Sequence, residues 1–104
     1  IITTFSYDGA TWSSEPDLPT TLRGLAGAGT QNNALAIGGL TGNVFTPTWV
    51  ATTYEFDGNA WATGGNMSQG KYGHTGNGSS NQAIVTGGVN SSSTTLNTVE
   101  KYNK

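Results

Sequence analysis

The chain has 104 residues; 34% of them are hydrophobic, 10% are charged and 16 are glycines. This much glycine excludes a helical protein, because glycine costs about 1 kcal/mol against alanine in a helix interior. The net charge of −2 and the four scattered Lys and Arg residues leave no surface for binding phosphates, so no nucleic-acid partner is expected. No apolar run approaches the ~20 residues that cross a membrane, so membrane insertion is not expected.

Short strands separated by turns are predicted from the first residues onward. The first strand is TTFSYD (3–8), and the turn signal Asp8-Gly9 and then Trp12 follow it. ALAIGG (34–39) is a short apolar strand that runs into two glycines. TTYEFD (52–57) alternates and is rich in threonine and aromatic residues, as strands are.

The second half of the chain continues in the same way. DGNAW and AWATGG (57–65) hold a hairpin turn and a short strand, and GHTGNGS (73–79) is a glycine-rich strand. NQAIVTGG (81–88) is the strongest candidate for a buried strand, and TVEKYN (98–103) is the last strand. No segment keeps an apolar period of 3.6 residues, so an all-β protein is expected.

These elements form an internal repeat with a spacing of 49 residues, without a gap from residue 7 to residue 39. A third copy begins at TVEKYN, where Phe56 and Tyr102 are only 46 residues apart. The spacing is shorter because fewer residues follow the second glycine pair than follow the first. Residues 40–51 and 89–97 are therefore predicted to be loops. The matched positions include Tyr7 and Phe56, Asp8 and Asp57, Trp12 and Trp61, Gly38 and Gly87, and Gly39 and Gly88.

The ordered set of motifs resembles the kelch repeat. The family pattern is an apolar strand that ends in Gly-Gly, a variable loop, an aromatic residue followed by Asp, and then a Trp. Here it is carried by Gly38-Gly39, Gly87-Gly88, Tyr7-Asp8, Phe56-Asp57, a weaker Tyr102-Asn103, Trp12 and Trp61. In addition, LRGLAGAGTQNNALAIGGLTG (22–42) is similar to the degenerate kelch-like arrays of bacteriophage tail and virion proteins.

The resemblance implies an all-β fold of kelch-like β-propeller blades, each a four-stranded antiparallel sheet. It implies a partial blade at residues 1–22, a full blade at 23–67 and a partial blade at 68–104, with two, four and three strands. A propeller needs about four to eight blades to close. The chain is therefore expected to be a segment of a larger array, or a protomer that completes a ring by assembly.

The repeated residues are interpreted as structural. The glycine pairs lack the Lys-Ser/Thr of a phosphate loop, and they are expected to allow a positive φ and close backbone approach. Trp12 and Trp61 are expected to pack between adjacent blades rather than to stack on sugars. Asp8 and Asp57 are expected to cap their own turns. His74, the only histidine, is expected to be a structural hydrogen-bonding residue.

Two features depart from the family pattern. The basic residue and the histidine that often precede the second strand pair are Lys71 and His74 in the second unit. In the first unit Ala26 follows Arg23 at the spacing at which His74 follows Lys71, and Arg23 aligns with Tyr72 rather than with Lys71. The polar pair that is common in the family, a basic residue and a histidine, is therefore expected to be only partly kept in this chain.

Phe45 and Trp49 are the candidate binding residues, because they lie in a variable loop outside the repeat. The alternative for Trp49 is packing over a blade edge or against a neighbouring chain. No catalytic, cofactor or metal site is predicted: the chain has no cysteine, and no acid has a matched metal spacing.

The resemblance implies a non-enzymatic structural or adhesive protein, a phage tail or virion component located in the virion or outside cells. Its expected partners are other virion proteins, sibling chains or a host surface glycan. The first alternative is a carbohydrate-binding propeller lectin, and the second is an intracellular kelch adaptor that binds proteins. Fold alone does not decide among these functions.

Overall fold

Short antiparallel strands make up the fold. The computed structural model describes residues 3–42 and 45–103, and this part of the chain holds no helix that could cross a membrane. The predicted all-β class is confirmed. The strands are β1 (Thr4–Tyr7), β2 (Trp12–Glu15), β3 (Ala26–Thr30), β4 (Asn33–Ile37), β5 (Leu40–Thr41), β6 (Thr48–Trp49), β7 (Thr53–Phe56), β8 (Trp61–Thr63), β9 (Thr75–Gly78), β10 (Gln82–Thr86) and β11 (Val99–Asn103).

Nine of these strands form three sheets in chain order. Sheet I consists of β1 and β2, sheet II has the order β3-β4-β7-β8, and sheet III has the order β11-β10-β9. The kelch resemblance implied the same numbers of two, four and three strands, and the division into blades stays a prediction. Within residues 3–42 and 45–103 the sheets do not close into a barrel or a ring.

The segment 40–51, which was predicted to be a loop, contains a further strand pair. β5 and β6 form a short ribbon in which Leu40 pairs with Trp49 and Thr41 pairs with Thr48. The prediction of a plain loop is wrong at these residues, because strands of two residues are too short to show an alternating pattern. The ribbon adds two strands to the nine that the kelch resemblance implies.

The hydrophobic core lies between sheets II and III. β4 turns Leu35 and Ile37 towards this interface, and β10 turns Ala83 and Val85 towards it from the other side. Successive residues of a strand point to opposite faces. Ala36 therefore points to the face of sheet II away from sheet III, where it pairs with Tyr54. Sheet II thus has one face towards sheet III and the other face towards the side of sheet I.

The first glycine pair lies where the chain leaves β4 and passes close to two other segments. Gly38 and Gly39 have φ angles of +64° and +104°. A Cβ on Gly38 would lie 2.9 Å from His74 Cε1, and one on Gly39 would lie 2.8 Å from the carbonyl oxygen of Arg23. The predicted structural role of this pair is confirmed, because both the positive φ and the close approach require glycine here.

Candidate functional site

An ion pair fastens sheet III to the segment between β8 and β9. Lys71 is fully buried, and its Nζ lies 2.6 Å from Glu100 Oε2. The backbone N–H of Ser68 donates to Glu100 Oε1 at 2.8 Å. Burial raises the pKa of Glu100, but the hydrogen bonds from Lys71 and Ser68 outweigh it, and the pKa lies below its ordinary value. Glu100 is therefore a carboxylate at neutral pH and neutralises the buried ammonium.

His74 lies beside this ion pair and is buried. Its Nε2 lies 2.8 Å from the carbonyl oxygen of Ile37, so Nε2 carries the proton and donates. Burial lowers the pKa of His74, the nearby ammonium of Lys71 lowers it further, and the bond to Ile37 and the charge of Glu100 only partly oppose this. The ring is neutral at pH 7. The predicted structural role of His74 is confirmed, since it ties the end of β4 to the start of β9.

A second polar contact joins sheets II and III at Tyr102. The phenolic hydroxyl donates to Glu55 Oε2 and accepts a hydrogen bond from the backbone N–H of Gly65 at 3.3 Å. Burial raises the pKa of Tyr102, and the bond to Glu55 raises it further. Neither this contact nor the role of Glu100 is marked in the sequence, because Tyr102 lies 47 residues from Glu55 and Glu100 lies 29 residues from Lys71, and no local motif links them.

The two Asp-Gly turns have the same geometry. Asp8 Oδ1 accepts hydrogen bonds from the backbone N–H groups of Ala10 at 2.8 Å and Thr11 at 2.9 Å. Asp57 Oδ1 accepts from Asn59 and Ala60 at the same two distances. The bonds from Thr11 and Ala10 lower the pKa of Asp8. The predicted turn-capping role is confirmed for both residues.

The two repeat tryptophans have different surroundings. Trp61 is partly buried and its Nε1 donates to the carbonyl oxygen of Pro16 at 2.9 Å, which ties sheet II to the segment after sheet I. Trp12 is 69% exposed. No other sheet lies against the ring of Trp12 in the described part of the chain, so the packing of Trp12 between blades stays a prediction.

Trp49 packs onto the segment that follows β8. Its ring centroid lies 6.2 Å from that of Tyr72, and its Nε1 is buried. A Cβ on Gly70 would lie 2.6 Å from the carbonyl carbon of Trp49, which shows how closely the two segments approach. Trp49 is only partly exposed, so packing accounts for most of its ring.

Phe45, by contrast, is 89% exposed at the tip of the ribbon. The guanidinium of Arg23 donates to the carbonyl oxygen of Gly42 at 2.8 Å and fastens the base of this tip. Of the two candidate binding residues, Phe45 presents its ring to solvent and Trp49 anchors the ribbon. Their role in binding stays a prediction.

Residues 3–42 and 45–103 contain no group of three His, Cys, Asp or Glu side chains that could hold a metal ion. The titratable groups described above contact backbone groups or each other. These hydrogen bonds and the ion pair connect the sheets and close the turns. The exposed large hydrophobic side chains include Phe45 beside the ribbon, Phe5, Tyr7 and Trp12 on sheet I, and Ile84 and Val99 on sheet III.

Comparisons with known proteins relate the chain to others by fold. No family model and no curated protein matches it. Among solved structures 84 chains match, and one of them is described as the structure of YjhT. That structure matches 93% of this chain with a TM-score of 0.73 and 11% sequence identity. The chain spans 33% of its length, and at this identity the likeness shows the fold alone.

Proposed function

We propose that this chain is part of a non-enzymatic propeller scaffold, built from kelch-like blades, that presents a binding loop in a phage tail or virion. The observation that carries the proposal is the ribbon, which lies outside the repeat and exposes Phe45. Insertions in repeat proteins form loops on one face, and that face is often the binding face.

The strand order supports the blade interpretation. Sheet II is a four-stranded antiparallel sheet whose strands follow one another in the chain, apart from the inserted ribbon. β1 and β2 match its last two strands, and β9, β10 and β11 match its first three. The matched solved structure is about three times as long as this chain, which is the relation expected between a segment and a larger array of the same fold.

The roles of the polar residues support a non-enzymatic function. Glu100 neutralises Lys71, His74 bonds to a backbone carbonyl, and Asp8 caps a turn. A general acid or base has to reach the proton that it transfers. These groups instead hold the scaffold together.

The phrase at residues 22–42 supports a phage tail or virion location, because it is similar to the arrays of such proteins. Other virion proteins, sibling chains and a host surface glycan are then the partners of the ribbon. Antibodies to the chain are expected to label virions of the phage whose genome encodes it. Labelling confined to the interior of host cells would contradict this location.

A propeller lectin is the second candidate, and the exposed ring of Phe45 favours it, because aromatic faces stack on the apolar faces of sugars. The two candidates share a test. The full chain is attached to fluorescent beads, so that many copies bind together, and is presented to a glycan array and to bacterial cells. Binding to defined glycans shows that the target is a sugar, as the lectin requires and the virion scaffold allows, and binding to cells without binding to the array favours a different kind of receptor.

Phe45→Ala is expected to weaken either kind of binding about tenfold or more. Thr48→Ala is the matched control, because Thr48 is an exposed ribbon residue without a ring. Equal binding by Phe45→Ala and the parent chain, or binding by neither to cells and glycans, would contradict the adhesive function.

A further inference from the structure

The segment after the second glycine pair has the same backbone arrangement as the ribbon. Leu40, at the start of the ribbon, forms a bridge to Arg23 on one side and pairs with β6 on the other. Val89, its counterpart 49 residues later, forms bridges to Tyr72 on one side and Thr95 on the other. The loop after the second glycine pair is therefore a shorter version of the ribbon.

Hydrogen bonds to one residue fix the shape of this second hairpin, which consists of residues 89–95. Asn90 Oδ1 accepts from the backbone N–H groups of Ser92 at 3.0 Å and Thr94 at 3.2 Å. The backbone N–H of Ser93 donates to the carbonyl oxygen of Asn90 at 3.0 Å. Because the hairpin already has a defined shape, little further ordering opposes the binding of a ligand to it.

Both hairpins contact the segment between β8 and β9, and they do so at adjacent residues. On the ribbon side, a Cβ on Gly70 would lie 2.6 Å from the carbonyl carbon of Trp49. On the side of the second hairpin, Asn90 Nδ2 donates to Gln69 Oε1 at 3.1 Å. The two hairpins therefore stand at the same end of sheets II and III, with this segment between them.

The exposure of the hairpins does not depend on the absence of a neighbouring sheet. Sheet II has sheet I towards one face and sheet III against the other, and the ribbon that leaves it still exposes 89% of Phe45. Ser91, Ser92 and Ser93 occupy the turn of the second hairpin and are exposed as well. Because the two hairpins are built alike, this turn is expected to stay exposed when further sheets follow β11.

The two hairpins offer an uncharged set of binding groups. Residues 40–51 and 89–97 contain no Asp, Glu, Lys, Arg or His. Phe45 presents an aromatic face, and the serines of the second turn present hydroxyl groups, which both donate and accept hydrogen bonds. A ring together with hydroxyl groups suits a ligand that is polar, uncharged and apolar on one face.

The cations beside the hairpins have contacts within the chain. Arg23 donates to the carbonyl oxygen of Gly42 at the base of the ribbon tip, at 2.8 Å. Lys71 is buried and is neutralised by Glu100. These contacts favour an uncharged ligand over an acidic one.

We propose that the ribbon and the second hairpin form one binding surface, and that its ligand is a neutral glycan. The inference rests on the proposed adhesive function and names the class of its target. Phe45 stacks on the apolar face of one sugar ring, and the hydroxyl groups of Ser91 and Ser92 bond to hydroxyl groups of a neighbouring sugar.

A protein is a poorer fit to this surface than a glycan. Protein interfaces are centred on clusters of buried aromatic and arginine side chains. Here Trp49 packs on Tyr72 and leaves Phe45 as the exposed ring of the two hairpins. One exposed ring among small hydroxyl side chains matches one sugar ring, and the many copies of a glycan on a cell surface compensate for weak single contacts.

The bead assay tests the ligand class when neutral and acidic glycans are presented at low and high salt. The parent chain is expected to bind neutral glycans. Its binding is expected to change less than about twofold between about 0.05 and 0.5 M sodium chloride, because salt screens contacts between charges. Stacking and hydrogen bonds between uncharged groups are not screened in this way.

A pair of serine substitutions tests the second hairpin. Ser91→Ala with Ser92→Ala removes two exposed hydroxyl groups, leaves the backbone bonds to Asn90 in place, and is expected to weaken glycan binding about fivefold or more. Ser13→Ala with Ser14→Ala is the matched control, because it removes two exposed hydroxyl groups from β2, and it is expected to bind like the parent chain. Equal thermal midpoints show that both variants are folded.

The results that would overturn the proposal differ from those that would overturn the adhesive function. If the Ser91 and Ser92 variant binds like the parent chain while Phe45→Ala does not, the ribbon binds without the second hairpin. Binding to acidic glycans only, binding that falls steeply with salt, or binding to cells without binding to the array would show that the ligand is not a neutral glycan. A parent chain that binds neither glycans nor cells would contradict the adhesive function and the proposal together.

Discussion

The hairpins β1–β2 and β7–β8 have the same local structure and different surroundings. Both place an aromatic pair across the strands with ring centroids 5.0 Å apart, Tyr7 with Trp12 and Phe56 with Trp61. Phe56 is 5% exposed and Tyr7 is 48% exposed. Turn chemistry and cross-strand pairing are thus local properties, whereas burial depends on which sheet lies alongside.

Sheets I and III also differ in the contacts that join them to sheet II. Sheet III is fastened by a buried ion pair, by the bond from His74 to the end of β4, and by the hydroxyl of Tyr102. Sheet I is joined to sheet II by bonds to backbone oxygens, from Trp61 to Pro16 and from Gln31 to Tyr7. Sheet I is therefore expected to open before the core between sheets II and III does.

The largest difference is expected from truncating the two matched aromatic residues. Phe56→Ala removes a buried ring and is expected to lower the free energy of unfolding by about 3 kcal/mol. Tyr7→Ala changes a half-exposed ring and is expected to cost less than about 1 kcal/mol. Urea denaturation of dilute samples measures both values. Equal losses of free energy of unfolding would show that burial by a neighbouring sheet does not distinguish the two hairpins.

If Phe56→Ala does not fold, Phe56→Leu provides the second measurement. This change keeps most of the apolar volume and is expected to cost less than about 1.5 kcal/mol. A loss from Phe56→Leu no larger than that from Tyr7→Leu would contradict the comparison in the same way.

The next largest effect is expected at the ion pair. Glu100→Gln leaves the buried ammonium of Lys71 without a counter-charge and is expected to cost about 2 kcal/mol. Glu15→Gln on sheet I is the matched control, since Glu15 Oε2 accepts a hydrogen bond from a neutral hydroxyl, Ser6 Oγ, at 2.7 Å. It is expected to cost about 0.5 kcal/mol.

The double variant Lys71→Met with Glu100→Gln sharpens this test. Removing both charges is expected to restore part of the stability, because no buried charge is then left unpaired. Chemical denaturation measures the loss of stability in the double variant and in each single variant. A double-variant loss equal to the sum of the two single losses would show that the two side chains act independently.

A smaller effect is expected from removing the indole nitrogens. Trp61→Phe loses the hydrogen bond to Pro16 and is expected to cost about 1 kcal/mol. Trp12→Phe, in which the changed ring is mostly exposed, is expected to cost less than about 0.5 kcal/mol in dilute solution. Thermal unfolding measures the stability of both variants. A larger loss of stability in Trp12→Phe than in Trp61→Phe would contradict the conclusion that Trp61, and not Trp12, is covered by a neighbouring segment.

The smallest effect is expected from pH. The pKa of His74 lies below its ordinary value of 6.5, so the unfolded chain takes up a proton before the folded chain does. Stability is therefore expected to fall as the pH drops below about 6.5, and His74→Gln is expected to remove this part of the fall. Urea denaturation midpoints at several pH values measure it. A midpoint of the parent chain that does not change in this range would contradict the buried, neutral ring.

Much of the local structure followed from the sequence. Aromatic, glycine and Asp-Gly signals that recur in register predicted short strands and turns, and the kelch resemblance implied their grouping into two, four and three strands. Asp8 and Asp57 were correctly assigned to turns, since an Asp before Gly satisfies its own turn with short-range bonds. Gly38 and Gly39 were correctly assigned to a crowded exit from β4.

Contacts between residues far apart in the chain could not be predicted from the sequence. Nothing local marks Glu55 as the partner of Tyr102, or Glu100 as the partner of Lys71, because these pairs are separated by 47 and 29 residues. The ribbon was missed because its strands are too short to have a period. Trp49 was left open between binding and packing, and only its contact with Tyr72 showed packing.

The sequence by itself determined the repeat, its strands and its turns, because these depend on bonds within a few residues of each other. Only the tertiary structure decided which copy of each motif is covered. Trp12 and Trp61 occupy the same position in their units, yet one ring is mostly exposed and the other bonds to a neighbouring segment. Burial is a property of two surfaces together, so the identity of one residue cannot determine it.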